Sequence, residues 1–434
     1  MSLRRNFVWM LASKAALVLA ALITWSLINR SLGPADRGVL AEMQTWVGLF
    51  MAVFGISIDT AIYHFANKAV YGDDDKSRFV TILVLSFLYA LLASAALVLF
   101  VFLWPQQASS KSVQFLAFLV LLLFFSMETT YLNVFFQSLG NIRFAALIGM
   151  SQAFVNILVV VVGFVLKIVD LRFAVIALIT VQAAALSLLL ANALRTGFFR
   201  GRFSKKLARG VITAGLKQHL ATISTFVYTK INQLIVFKYC GESQAGIFAV
   251  SLTFAASLMI IPQTFQIVLY PRIIHFSDDY EMTVKSFRLG FYAWGSIVLA
   301  LIVLAKPLLY FYGGKDYVGS AGIFRIMMIG SWFLPLSALF APYYIKKGAF
   351  GLASLSAVLL GVFSIGMNYW LVPKAGTTGA AAATAMTCVV GFCLVLVIFR
   401  YLSKKSPLGF LKPDFKNEWN SLKPLFKNIA KIWE

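Results

Sequence analysis

Histidine and cysteine are almost missing from this chain, with three of each among 434 residues. His64, His219 and His275 stand far apart, and Cys240, Cys388 and Cys393 show no metal-ligand spacing. A structural zinc site is therefore excluded as an organising element. Cys388 and Cys393 lie in an apolar run and are expected to be buried thiols, not a disulfide. No G-x-S-x-G or comparable nucleophile motif occurs. Charge is scarce as well: 12% of residues are charged, and only 16 are acidic against 38 Lys and Arg. A soluble domain of this length needs far more polar surface. The expected outward loops are all short, which leaves no room for the sizeable outward loop of a polymerase or ligase acting on lipid-linked sugars. No enzyme is expected.

What is present is apolar sequence, 60% of the chain. Runs of about 20 apolar residues follow one another almost without pause, the signal of membrane spans. Twelve spans are expected, at 6–29, 39–66, 79–104, 113–137, 143–166, 173–194, 213–239, 244–271, 287–310, 319–345, 350–372 and 378–401. They read as helices, because strand-like alternation is absent and a backbone in lipid must satisfy its own hydrogen bonds. The fold class is an all-α polytopic membrane protein. Met1 to Arg5 followed by an apolar run looks like a signal peptide. Lys14 interrupts the run and it continues to about Ile28, so it reads as the first retained span.

With the N-terminus inside, 25 of the basic residues fall on the inner side and nine outside. This bias puts both termini in the cytoplasm. The formal charge of +22 then reflects basic cytoplasmic loops and an anionic lipid partner, not nucleic acid. The basic segment Arg195–Arg209 divides the chain into an N-terminal six-helix lobe (1–197), a linker (198–211), a C-terminal six-helix lobe (212–402) and a tail (403–434). The linker reads either as a plain topological loop or as a helix lying on anionic headgroups. In the tail, Leu422, Leu425, Phe426, Ile429, Ile432 and Trp433 share one helical side and Lys423, Lys427 and Lys431 another, the pattern of an interfacial amphipathic helix.

A nine-residue element occurs twice. Gly33 to Ala41 and Gly241 to Ala249 both read G-x-x-x-x-G-[VI]-[LF]-A, 208 residues apart, each between two apolar runs. Gly140 and Gly348 share the same offset. The chain therefore reads as one membrane module written twice. With six spans in each half, the repeats are parallel, related by an axis along the membrane normal, with a site between them.

Beyond the repeat, LGPADRGVLA resembles the first-loop signature of the polysaccharide-transport branch of the multidrug/oligosaccharidyl-lipid/polysaccharide exporter superfamily. Tyr228–Ala249, the prolines Pro262 and Pro271, Lys306–Leu309 with Tyr312–Tyr317, and Asn368–Ala381 (NYWLVPKAGTTGAA) resemble its later blocks in order. Taken together they are similar to the Wzx-type flippases of O-antigen and exopolysaccharide repeat units. The resemblance implies the MATE-like fold, a V-shaped pair of six-helix bundles opening alternately to each side. It implies a flippase of undecaprenyl-pyrophosphate-linked oligosaccharide in the bacterial inner membrane, moving cargo to the outer leaflet for O-antigen, capsule or exopolysaccharide. A monomer without cofactors is expected, with a polysaccharide polymerase and other export machinery as partners. Arg37 stands where the family signature carries an aromatic residue. Asn232 stands where many relatives have Asp, which leaves coupling to an H+ or Na+ gradient open.

Charges inside spans are costly and need a reason. Lys14, Lys230 and Arg325 are the candidate cations of a hydrated central cavity that binds the anionic headgroup. Lysine supplies a flexible point charge able to follow a moving phosphate. Asp59, Glu128 and Asn232 are the candidates for an ion pair or for proton or ion coupling, with Lys14 and Asp59 at similar depth. The bland alternatives are snorkelling for Arg325, Lys217 and Glu42, and a structural Lys14–Asp59 pair. Pro262 and Pro335 are candidate hinges; Gly48, Gly55 and Pro342 also fall within spans, and packing is their alternative role. A MATE-type drug/cation antiporter shares the plan, but it calls for an acidic cavity.

Overall fold

A computed structural model describes residues 3–65, 74–104, 113–263, 279–340, 343, 344, 347 and 349–406, with the side chains of residues 3–15, 64, 142, 279, 282, 335 and 350 outside that description. Its helices are α1 (Leu3–Ser31), α2 (Pro34–Phe54), α3 (Ile58–Phe65), α4 (Asp75–Leu103), α5 (Leu116–Ser138), α6 (Ile142–Val165) and α7 (Leu171–Arg195). After these come α8 (Lys205–Leu258), α9 (Asp279–Val303), α10 (Ala305–Gly313), α11 (Ala321–Ser331), α12 (Leu334–Ser337) and α13 (Phe350–Ser403). Their starts follow local chemistry. Pro34 occupies the first turn of α2, where its missing N–H costs nothing. The side chains of Asp74, Asn141, Asp170 and Ser204 accept the amides of Ser77, Phe144, Phe173 and Leu207, three residues on in each case.

Two helices are hairpins. Gly241 interrupts α8 at φ 82°, and Gly376 interrupts α13 at φ 57°. Both lie in the left-handed region that glycine enters without strain. Gln233 Nε2 donates to the Ala245 carbonyl at 3.0 Å. Twelve residues of straight helix span about 18 Å, so the chain reverses at Gly241. A Cβ on Gly379 would lie 2.3 Å from the Leu371 carbonyl oxygen, which places the same reversal at Gly376. Among the described residues, seven helices are long and apolar enough to cross a membrane. Both limbs of α8 and α13, together with α1, the broken α2–α3 and the broken α11–α12, complete the twelve-helix plan.

Several spans are interrupted where continuous helices were expected. The second breaks at Gly55–Ser57, with Ile56 and Ser57 at φ 47° and 48°. Tyr131 donates to the freed Gly55 carbonyl at 3.2 Å, and Ser57 donates to Thr222 at 2.7 Å. The ninth breaks at Leu304, and the tenth at Trp332–Phe333, after which Pro335 opens α12. α8 ends at Leu258 with Met259 as its cap, and Pro262 sits in the short helical stretch just beyond. Gly48, by contrast, lies in unbroken helix. Pro342, Gly348 and the amphipathic part of the tail fall outside the described residues.

The buried residues of one apolar cluster lie within 28–211 and those of two others within 235–399, with Phe237 packed on the first and Leu22 and Trp25 on the second. Only 17% of the apolar window of α6 is buried, so this helix turns its sides to lipid. The segment between α7 and α8 is pinned to the first cluster. Phe198 packs on Phe79, Phe135 and Phe136, and the Arg202 and Ser204 amides donate to Ser77 and Thr81, each at 3.0 Å. The basic linker is thus a short docked turn, and α8 begins inside it.

The two copies of the repeated element touch. A Cβ on Gly38 would lie 1.9 Å from the Glu242 carbonyl oxygen, and one on Gly246 would lie 1.8 Å from that of Pro34. Glu242 is Pro34 shifted by 208 residues, as Gly246 is Gly38. The contact is therefore reciprocal, as a pseudo-two-fold axis between the copies requires.

Candidate functional site

The first limb of α8 carries a polar face from end to end. Lys206, Arg209, Thr213, Lys217, Gln218, Thr222, Thr225, Thr229 and Gln233 follow at steps of mostly three or four, so they share one side of the helix. Three consecutive cavities lie along it. At the linker end a cavity of about 760 Å³ is lined by Lys206, Arg209, Lys217 and Gln218. Gln218 also lines the next, of about 460 Å³, with Ser57, Asp59, Thr130, Thr222 and Thr225. Gly48 and Phe226 separate that space from a deep pocket of about 170 Å³. Gly48 is glycine for a reason: a Cβ there would meet the Phe226 ring at 2.7 Å.

The deep pocket holds Arg37 and Lys230 together, with Gln44, Thr45, Gln233 and Thr253. Arg37 is fully buried. Its Nε donates to Asn29 at 2.8 Å, its Nη2 lies 3.5 Å from Thr253, and its guanidinium sits 4.6 Å from the centre of the Trp25 ring. Nη1 has no hydrogen-bond partner among the described residues. No acidic side chain lines this pocket among the described residues. Two basic side chains thus share one small cavity with neutral amides and hydroxyls, a lining whose chemistry suits an anion.

Of the candidate residues, Lys230 and Asp59 line this path, in the deep and middle cavities. Lys14 lies on α1, and its side chain, with the Lys14–Asp59 pair, falls outside the described residues. Arg325 is set apart from the cavities: its Nε donates to the Ile302 carbonyl near the end of α9 at 3.0 Å, satisfying a C-terminal backbone group. Glu128 is buried inside the first cluster, accepting from Ser86 at 2.9 Å. Asn232 is buried too and donates to Thr384 at 2.9 Å, tying α8 to the second limb of α13. Glu42 is buried and accepts from Trp46 at 3.2 Å; it does not snorkel.

Arg37 is the residue that sequence reasoning missed. It was expected in an outward loop, yet Pro34 starts α2 and carries Arg37 inside the helix. The signal was available: proline followed by an acidic residue, Asp36, is a helix start.

This architecture, a duplicated twelve-helix membrane protein with a polar path between helices, is that of a transporter. A model of the family described as "Polysaccharide biosynthesis protein" matches residues 3–277, and the chain belongs to that family. The Lipid III flippase of Escherichia coli (strain K12) is 22% identical over 424 residues, covering 92% of this chain and 98% of that protein. Among solved structures, an inward-facing multidrug resistance MATE transporter of the MOP superfamily superposes with a TM-score of 0.67 at 15% identity, over 90% of this chain and 96% of the other. The lipid II flippase MurJ, in an inward closed conformation, gives 0.65 at 15% identity, over 98% and 92%. The fold is therefore the MATE-like fold.

Proposed function

We propose that the protein is a flippase for undecaprenyl-pyrophosphate-linked oligosaccharide in the bacterial inner membrane, feeding O-antigen, capsule or exopolysaccharide assembly. The observation that carries this reading is that Arg37 and Lys230 share a pocket lined by no acidic side chain among the described residues. A pyrophosphate is a multivalent anion that bare hydrocarbon excludes. Paired cations at the end of a hydrated groove offset that exclusion by charge-assisted hydrogen bonds. Ser57, Thr130, Thr222 and Thr225 in the wider middle cavity suit sugar hydroxyls. The family membership and the E. coli relative support the same cargo class.

On this reading the linker end and both termini are cytoplasmic, in accord with the bias of Lys and Arg. The cationic mouth of Lys206, Arg209 and Lys217 then meets the cargo where it is made. The protein works as a monomer and hands cargo to a polymerase. Asp59, the acid that lines the path, is the first residue to test for coupling to an H+ or Na+ gradient. A drug/cation antiporter is the weaker reading, because a cationic drug reaching the deep pocket would meet two like charges.

The test is reconstitution. Proteoliposomes loaded with pyrophosphate-linked oligosaccharide on one leaflet should expose it on the other, and no exposure above empty liposomes would sink the proposal.

A further inference from the structure

The reciprocal contact at Gly38 and Gly246 lies at the narrow end of the path. Ala41 and Ala249, each three residues on from Gly38 and Gly246, line the deep pocket with Arg37, so the contact lies about one helical turn beyond a path that narrows from about 760 to 170 Å³. At the contact each glycine would place a Cβ 2.9 Å from the other's amide nitrogen, and closer still to a carbonyl oxygen. Backbones this near leave no passage for a headgroup. Further bonds join the same region to the second half of the chain. Arg30 and Ser26 donate to the Phe311 carbonyl at 2.8 and 3.2 Å, and Tyr317 donates to the Leu32 carbonyl at 3.0 Å. Arg37 belongs to this set, because its guanidinium reaches from Asn29 on α1 to Thr253 on the second limb of α8. The long Thr253 contact is a weak one.

We propose that the two copies of the repeated element are the two halves of a gate, and that Arg37 lets an anionic cargo release it. The inference rests on the flippase reading for the cargo's identity, but the gate itself does not. A side chain at either glycine forces the closed contact apart. A phosphate entering the pocket takes up the unpartnered Nη1 and competes for the guanidinium that bridges the two sides. Glycine at both positions lets the two backbones meet with no side chain between them at the contact point itself.

The experiment uses the full chain in lipid nanodiscs, with its three cysteines replaced by alanine and spin labels placed through Ser31→Cys and Ser243→Cys. Both positions are exposed, Ser31 just before the first copy and Ser243 within the second. The unaltered gate should give a short distance. Gly38→Ala and Gly246→Ala should each deplete the short-distance population by roughly tenfold, the effect of overpacking a tight contact. Inorganic pyrophosphate should lengthen the distance in the parent and not in Arg37→Gln. A reducible cross-link between the same two cysteines, with both glycines intact, should stop flipping until reduced. Distances unmoved by both the alanine substitutions and pyrophosphate would overturn the proposal, as would flipping at the parent rate while cross-linked. An Arg37→Gln protein that responds like the parent would remove the anion's role. The distance measurements need no flipping activity, so failure of the cargo reading alone leaves them interpretable.

Discussion

Replacing Lys230 with glutamine tests the headgroup site most economically. Glutamine keeps a polar, hydrogen-bonding side chain of similar length, so the pocket shared with Arg37, Gln44 and Gln233 is not emptied. What is lost is one charge. A hydrogen bond to a charged group contributes about 1.5–3 kcal/mol, which is roughly a ten- to hundredfold loss of affinity for the anion. Arg37 is buried and Lys230 half-buried, so salt screens this contribution less than at an exposed surface. Initial flipping rates in proteoliposomes, measured against cargo concentration, should show the loss as a raised half-saturation concentration. Lys230→Arg should stay within a few-fold of the parent, since the charge remains. Parent-like kinetics for Lys230→Gln, at equal protein per vesicle, would refute the reasoning and leave Arg37 without its partner.

Three further outcomes are expected. Gly376→Ala places a side chain at φ 57°, ψ −137°, and should destabilise the α13 hairpin by about 1–3 kcal/mol, read as a lower unfolding temperature in detergent. Arg325→Gln removes the bond to Ile302 and should cost about 1 kcal/mol of stability while leaving the flipping rate unchanged; a loss as large as that of Lys230→Gln would place Arg325 in the path after all. The Ser77 hydroxyl and amide hold the Asp74 carboxyl below its ordinary range. Its contribution to α4 is therefore full above the unfolded carboxylate value of about pH 4 and fades as pH falls through the lower folded value. Asp74→Asn should flatten that part of a stability-against-pH curve.

The helical plan was legible because lipid leaves a backbone few options, so length and apolarity alone mark the spans. The interruptions were only half legible. Gly55 was marked as a breaker, but nothing in the sequence says that Ile56 and Ser57 take left-handed geometry, which depends on Tyr131 and Thr222 arriving from other helices. Gly48 looked like a second breaker and is instead the space that admits Phe226. Lys230 stands out in the sequence as a charge in an apolar run, and the structure places it on the deep pocket. Arg37 was lost because its neighbours Gly33, Pro34 and Asp36 read equally well as a loop. Arg325 stood out for the same reason as Lys230, yet a backbone carbonyl on α9 claims it. Which face a charge presents depends on tertiary packing that spacing does not contain. The repeat was plain in the sequence, but only the fold shows the two copies meeting each other.

The most direct measurement is to map where the cargo lies during transport. A pyrophosphate-linked oligosaccharide carrying a photoreactive group near the phosphates, activated during flipping, should attach to residues lining the α2–α8 path, such as Thr225, Phe226 and Gln233. Attachment confined to the outer faces of the bundle, such as Phe154 and Leu158 on α6, would contradict the account.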